Sequence, residues 1–310
     1  MKRALVIFIL IFLLSLAHLA QAVQWEVIET EHFRIHYPPD QPGAAKTLAE
    51  SAENVLKTTT GAIRYDFQGK ITVFLAPDRQ TYQSIQPRAM IPEWSVGVAF
   101  DQEKLIIIYT PRGAAGQGYS YDMIQVFHHE LCHIVLGNAL KDVHIPRWLN
   151  EGFAKFHAHE WSLNDSYHLT LAYMLGSTMP LDELMYKWPK NASKARIAYL
   201  QSKTFVAYLE RRNDLPAIIQ NMRQGMPADK AVLLATGYPL DVLEKRWERY
   251  YTRAHTWLFI LFRREFIWTS MALLFLFVYW RVRRRTKLKL KKMEIEDKME
   301  DRIDSGPTYH

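Results

Sequence analysis

Cysteine is almost missing from this chain: the 310 residues contain one, Cys132, so no internal disulfide can form and the fold must rest on its apolar core. Glycine and proline are sparse, at 13 and 14, and they punctuate separate segments, leaving no repeat and no low-complexity linker. Nothing resembles a glycine-rich phosphate-binding loop, which argues against nucleotide chemistry. A basic central region is lacking too. The formal net charge is +7, but the stretch from Arg281 onward holds ten basic and six acidic residues, and Lys2, Arg3 and the Arg263-Arg264-Glu265 segment supply the rest. The middle of the chain is close to neutral, so a nucleic-acid surface is not expected, and the basic pI reads as membrane topology.

Long apolar runs occur only toward the two ends. Met1-Lys2-Arg3, the apolar Ala4 to Leu16 and the small-residue site Ala20-Gln21-Ala22 have the three parts of a secretory signal peptide, with cleavage expected after Ala22. An uncleaved signal anchor is the competing reading. Phe266 to Val282 is apolar apart from Arg281, at the short end of what spans a bilayer, and Trp257 to Phe262 extends the apolar surface. The basic block from Arg281 to Lys292 then belongs in the cytoplasm, opposed only by Arg263 and Arg264. This divides the chain into a signal peptide (1–22), one domain (23–255), a membrane anchor (256–282) and a basic, then mixed-charge cytoplasmic tail (283–310). The domain would face outward from the cytoplasmic membrane.

What carries chemistry is His129-Glu130-Leu131-Cys132-His133. Met123, Val126, Phe127, Leu131, Ile134 and Val135 recur at helical spacing around it, with Gly137-Asn138 as the expected stop. On a helix, His129 and His133 project from one face a turn apart, as two ligands of a zinc ion do. Glu130 then sits beside the metal, within reach of its water, in the place of a general base. So short a pattern also arises by chance. His128 lies round the helix from this pair and reads as an outer or surface imidazole. Cys132, between the two histidines, reads as a buried thiol rather than a ligand. A catalytic zinc needs a third protein ligand, and Trp148-Leu149-Asn150-Glu151-Gly152-Phe153-Ala154, opening just after Pro146, is the candidate block.

His-Glu-x-x-His followed by Asn-Glu-Gly-Phe-Ala resembles the gluzincin metallopeptidases, the superfamily of thermolysin and the membrane alanyl aminopeptidases. Over roughly residues 25 to 250 the chain is most similar to the small peptidase-MA-like domains of bacteria, whose opening strand pair Trp25 to Tyr37 resembles. The resemblance implies His129, His133 and Glu151 as ligands of one zinc ion, with Glu130 as catalytic base. Tyr199-Leu200-Gln201-Ser202-Lys203 is similar to a segment that turns a tyrosine toward the reacting carbonyl, which implies Tyr199 as oxyanion donor. A packed aromatic in the helix through Phe205 and Tyr208 is the alternative. The chain departs from the aminopeptidases at Gly97-Val98-Ala99-Phe100, where they carry an acidic residue for the substrate's amino terminus; an endopeptidase is favoured.

Hydrolysis of a peptide bond by a zinc-bound water activated by Glu130 is therefore expected, with a peptide or protein substrate. Val96 to Phe100 and Leu105 to Tyr109, joined by Asp101-Gln102-Glu103-Lys104, read as a hairpin whose free edge could receive an extended peptide, or as an ordinary hairpin. Gly113 to Gly118 reads as a loop at the cleft. His157 and His159 read as structural or surface groups, His159 with a second reading as an outer partner of the site. Strands in the first half, a helix near Ala44–Thr60 and helices after Tyr119 give an α+β fold, thermolysin-like, with an N-terminal mixed sheet, a mostly helical C-terminal lobe and one C-terminal transmembrane helix. A non-peptide amidase, or a catalytically idle gluzincin-like module that binds peptides or assembles an envelope complex, are the competing functions.

Overall fold

The computed structural model describes residues 23–87, 95–110, 121–141, 143–254 and 264–304. The signal segment, the loop Gly113 to Gly118 and the stretch Trp257 to Phe262 lie outside them. The chain divides into a unit ending at Tyr251 and another beginning at Thr252.

In the first unit, β1 (Glu26–Glu29), β2 (Phe33–Tyr37), β3 (Ile71–Ala76), β4 (Gly97–Phe100) and β5 (Leu105–Tyr109) form one sheet in the order β1-β2-β3-β5-β4. The β2, β3 and β5 strands run parallel, and antiparallel β1 and β4 form the edges. Ile35 pairs with Val73 and Val73 with Ile106, and all three are fully buried on one face. Two helices belong to the same core as that face, α1 (Pro42–Ala62) and α3 (Met123–Ala139). The opposite face is partly capped by the short α2 (Arg79–Ser84), where Tyr82 packs with Ile107 and Tyr109. The expected hairpin is present, with Val98 opposite Ile107 and Phe100 opposite Leu105.

The Asp122 side chain caps α3 by accepting from the backbone N–H of Ile124 at 2.9 Å and of Gln125 at 3.3 Å. The helix does not stop at Gly137-Asn138 but runs on to Ala139. Gly137 is there for space: an added Cβ would lie 2.5 Å from Asp101 Oδ2 in the β4–β5 turn. Asn138 donates to the Asp101 carbonyl at 3.1 Å, so both residues dock the helix onto the hairpin.

The helical lobe comprises α4 (Arg147–His157), α5 (Leu163–Met174), α6 (Glu183–Tyr186), α7 (Ala192–Arg211), α8 (Leu215–Arg223), α9 (Ala228–Thr236) and α10 (Leu240–Ala254). Its centre is the contact of α4 with α7, where Trp148 meets Phe205 edge-on at 5.1 Å between ring centroids. Gly152 permits it, since a Cβ there would come within 2.4 Å of the Ser202 carbonyl oxygen. Sheet in front and helices behind make this an α+β fold.

The second unit contains α11 (Arg264–Asp304), whose apolar residues from Ile267 to Val282 are exposed. Among the described residues no helix is long and apolar enough to cross a membrane. The uncharged run from Phe266 to Trp280 rises only about 23 Å at 1.5 Å per residue, against a hydrocarbon core of roughly 30 Å. The transmembrane helix expected over Phe266 to Val282 is therefore not met here.

Candidate metal centre

His129 and His133 lie one turn apart on α3, with ring centroids 4.9 Å apart, and Glu151 lies in the second turn of α4. Each offers one ligand atom, and these atoms all fall within 4.8 Å of one another. The two helices are brought together by Leu131, Ile134 and Val135 on α3 and Trp148, Leu149 and Phe153 on α4, all fully buried in one core.

Both imidazoles are oriented by an oxygen at Nδ1. Glu160 Oε1 lies 2.5 Å from Nδ1 of His129, and Asn150 Oδ1 lies 2.9 Å from Nδ1 of His133. With Nδ1 donating, the Nε2 lone pair of each ring is left to a cation, the usual arrangement around a metal-bound histidine. Two such nitrogens and a carboxylate are a donor set that fits zinc. Burial works against a charged His129, but the Glu160 hydrogen bond and the nearby carboxylates of Glu130 and Glu160 raise its pKa; a bound cation would displace that proton. Burial likewise opposes charge on Glu160, yet His129 and Lys155 hold its carboxyl down at about 2.

Neither Glu160 nor Asn150 was marked out by the sequence as a partner of the site. The outer group nominated there, His159, is exposed, and its neighbour takes the role. The reason is a backbone turn: His159 has φ +55°, the left-handed region that a non-glycine residue seldom adopts, just before Glu160. His128 is neither a ligand nor a surface group: its Nε2 meets Thr59 Oγ1 at 3.1 Å, and burial lowers its pKa to about 4. Cys132 is fully buried, with its thiol pKa pushed up by burial. His157 pairs with Glu210 at 3.1 Å, away from the ligands.

Glu130 lies against the edge strand β4. An added Cβ at Gly97 would be 2.8 Å from Glu130 Oε1, so only glycine lets the strand pass so close to this carboxylate. Burial raises the Glu130 pKa, against the attraction of His129 and His133. Two arms of a groove meet at His129, Glu130 and Glu151. One, of about 480 Å³, runs toward Gln125, Glu160 and Trp161, and the other, of about 380 Å³, toward Asp101, Gly137 and Asn150.

Tyr199 lines both arms. It is also packed, as the alternative reading expected: its ring meets Trp188 at 4.8 Å and the Lys155 ammonium at 5.0 Å. Burial, then the nearby Glu151 carboxylate, raises its phenol pKa. Arg147, 3.8 Å from Glu151 Oε1, sits at the same corner.

Residues 49–253, more than half of the chain, match the Peptidase MA superfamily. No curated protein matches the chain. Among solved structures, it is similar to a mutant of an M1 zinc metallopeptidase from Deinococcus radiodurans, with 13% identity and a TM-score of 0.44 over 72% of this chain. The chain spans about half of that protein's length, 51%.

Proposed function

Because the chain belongs to the Peptidase MA superfamily, we propose that it is a zinc-dependent endopeptidase, with His129, His133 and Glu151 as the ligands of one ion and Glu130 as the catalytic base. One observation carries the reading. Two imidazoles, each held through Nδ1, and a carboxylate converge within 4.8 Å, and a second carboxylate, that of Glu130, lines the same groove outside that set. When bound, zinc would supply Lewis acidity, polarising a carbonyl and making water acidic near neutral pH.

The chain's own residues supply the rest. The edge of β4, which pairs with no second strand among the described residues, would pair with an extended peptide and lay its backbone along the groove. Glu130, pressed against Gly97, would take a proton from the attacking water and return it to the leaving amine. Tyr199 would donate its hydroxyl to the oxyanion, a contribution of about 3 kcal/mol in comparable sites. No acidic residue lies on Gly97–Phe100 to hold a free amino terminus, which favours internal cleavage.

The test is zinc content and hydrolysis of varied protein substrates by the purified protein and its Glu130→Gln form. Stoichiometric zinc with Glu130-dependent cleavage is expected. Stoichiometric zinc without such cleavage would favour a catalytically idle peptide-binding module, and no zinc at neutral pH would remove the metal site.

For location, we propose an exported protein held at the cytoplasmic membrane through α11, with the catalytic unit outside. The exposed apolar run ending in a basic block supports this, since a short span is accommodated by snorkelling of Arg281 and a locally thinner bilayer. Protection of the C-terminal tail, but not of the catalytic unit, from protease added to spheroplasts is the expected result.

A further inference from the structure

The helix α11 does not end where its apolar run does. It continues unbroken from Trp280 to Asp304, and its segment from Arg281 to Lys292 holds eight cations and no acid. At 1.5 Å per residue that segment is about 17 Å long, and it is exposed throughout. The cations are not spread evenly round it. Val282, Thr286, Leu290 and Met293 follow one another at helical spacing and stack along one side, with the cations at the margins and on the opposite side. Thr286 turns its hydroxyl back to the Val282 carbonyl at 3.0 Å, so this side offers no unpaired side-chain donor. Val282, Leu290 and Met293 are exposed on it. Where the segment begins, the Arg284 guanidinium lies 5.4 Å from the Trp280 ring, which ties the first cations to an aromatic of the kind found at headgroup depth. Beyond the segment the sign reverses, with six acids against two bases from Glu294 to Asp304.

A narrow uncharged side flanked by long basic side chains suits the boundary between lipid headgroups and acyl chains, where carbon meets the tails and the Lys and Arg stems reach out to phosphate. Nucleic acid or an acidic protein would match the charge but not the uncharged side. The apolar run ending at Trp280 also opens directly into this segment, so the chain itself delivers it to a bilayer. The acids that follow would be repelled by an anionic surface, so the order of charge along the helix decides which part lies against it. We infer that residues 281–293 bind anionic phospholipid headgroups, which rests on the membrane location proposed above and names the lipid class selected there.

The experiment uses the full-length protein reconstituted into phosphatidylcholine vesicles that carry a minor share of brominated phosphatidylglycerol or, in parallel, of brominated phosphatidylcholine. Bromine on the acyl chains quenches tryptophans within the bilayer, such as Trp268 and Trp280 of the apolar run, and the ratio of the two quenching constants reads lipid selectivity. A preference for the anionic lipid on the order of fivefold is expected at low salt, weakening as salt rises. Lys287→Gln, Lys289→Gln, Lys291→Gln and Lys292→Gln together should bring the ratio toward one. The same four lysines changed to Arg should keep it, and the arginines from Arg281 to Arg285 remain in both forms to hold the topology. A ratio of one in a protein whose tail is protected in spheroplasts overturns lipid selection and leaves the location standing. A preference unchanged by the four Gln substitutions overturns it as well. A ratio of one with retention of the solubilised protein on immobilised nucleic acid, lost in the Gln form, overturns it in favour of another polyanion. Quenching by neither lipid overturns the membrane location and the headgroup site together.

Discussion

Gly152→Ala tests whether the close approach of α4 to α7 sets the metal centre. The added methyl would lie 2.4 Å from the Ser202 carbonyl oxygen, 2.7 Å from its carbon and 2.8 Å from Val206 Cγ2. A valine methyl can rotate away. The Ser202 carbonyl is helix backbone and cannot, so α4 must retreat by on the order of 1 Å to restore ordinary contact. Trp148, Phe153, Phe205 and Val206 are fully buried around it, so no slack exists to absorb the shift. Alanine gains about 1 kcal/mol of helix propensity over glycine, while overpacking costs about 1–3 kcal/mol, so a net loss of up to about 2 kcal/mol is expected. Glu151 is the adjacent residue, and its carboxylate would move relative to the imidazoles on α3. Urea unfolding followed by circular dichroism measures the first effect, and zinc affinity by chelator competition the second. A variant stabilised by about 1 kcal/mol, as propensity alone predicts, with unchanged zinc affinity would refute the reasoning.

Glu160→Ala should weaken zinc binding by roughly 10–100-fold, and Glu160→Gln by less, because its amide oxygen can still accept from His129; equal affinities in a chelator competition would count against the orienting role. Glu244, whose carboxylate accepts from Leu181 N at 3.0 Å, is raised by burial from 4.5 to about 7. A folded-state pKa above the unfolded one means that ionisation opposes folding, so stability should fall as pH rises through that interval and level off above it. Glu244→Gln should flatten this decline in melting temperatures measured from pH 4 to 8, and an unaltered slope would exclude Glu244 as its source. Cys132, buried between α1 and the metal ligands, should react with a thiol reagent only after denaturation; a rapid colour change in the native protein would contradict its burial.

The helix carrying His129 and His133 was legible because its pattern is local: two imidazoles four residues apart share a face in any helix. Glu151 needed the resemblance, because its approach depends on how α4 docks, and spacing does not encode docking. Gly137-Asn138 misled for a physical reason. Glycine serves helix ends and close packing alike, and only the nearness of Asp101 tells which. Glu160 stayed hidden one residue beyond His159, since the left-handed turn that aims it leaves no mark in composition. The strands could be read one by one, but not the order β1-β2-β3-β5-β4, which is fixed by crossovers distant in sequence.

From His129 to Glu160 one stretch of chain supplies the three groups that would hold the ion and the two that orient its imidazoles. The surfaces that would meet a substrate come from outside that stretch, from β4 before it and from Tyr199 after it. Closing the first set needs only short loops, while the second waits on long-range pairing of sheet and lobe. Metal content and hydrolysis would therefore report different parts of the protein: the first depends on groups between His129 and Glu160, and the second also on β4 and Tyr199.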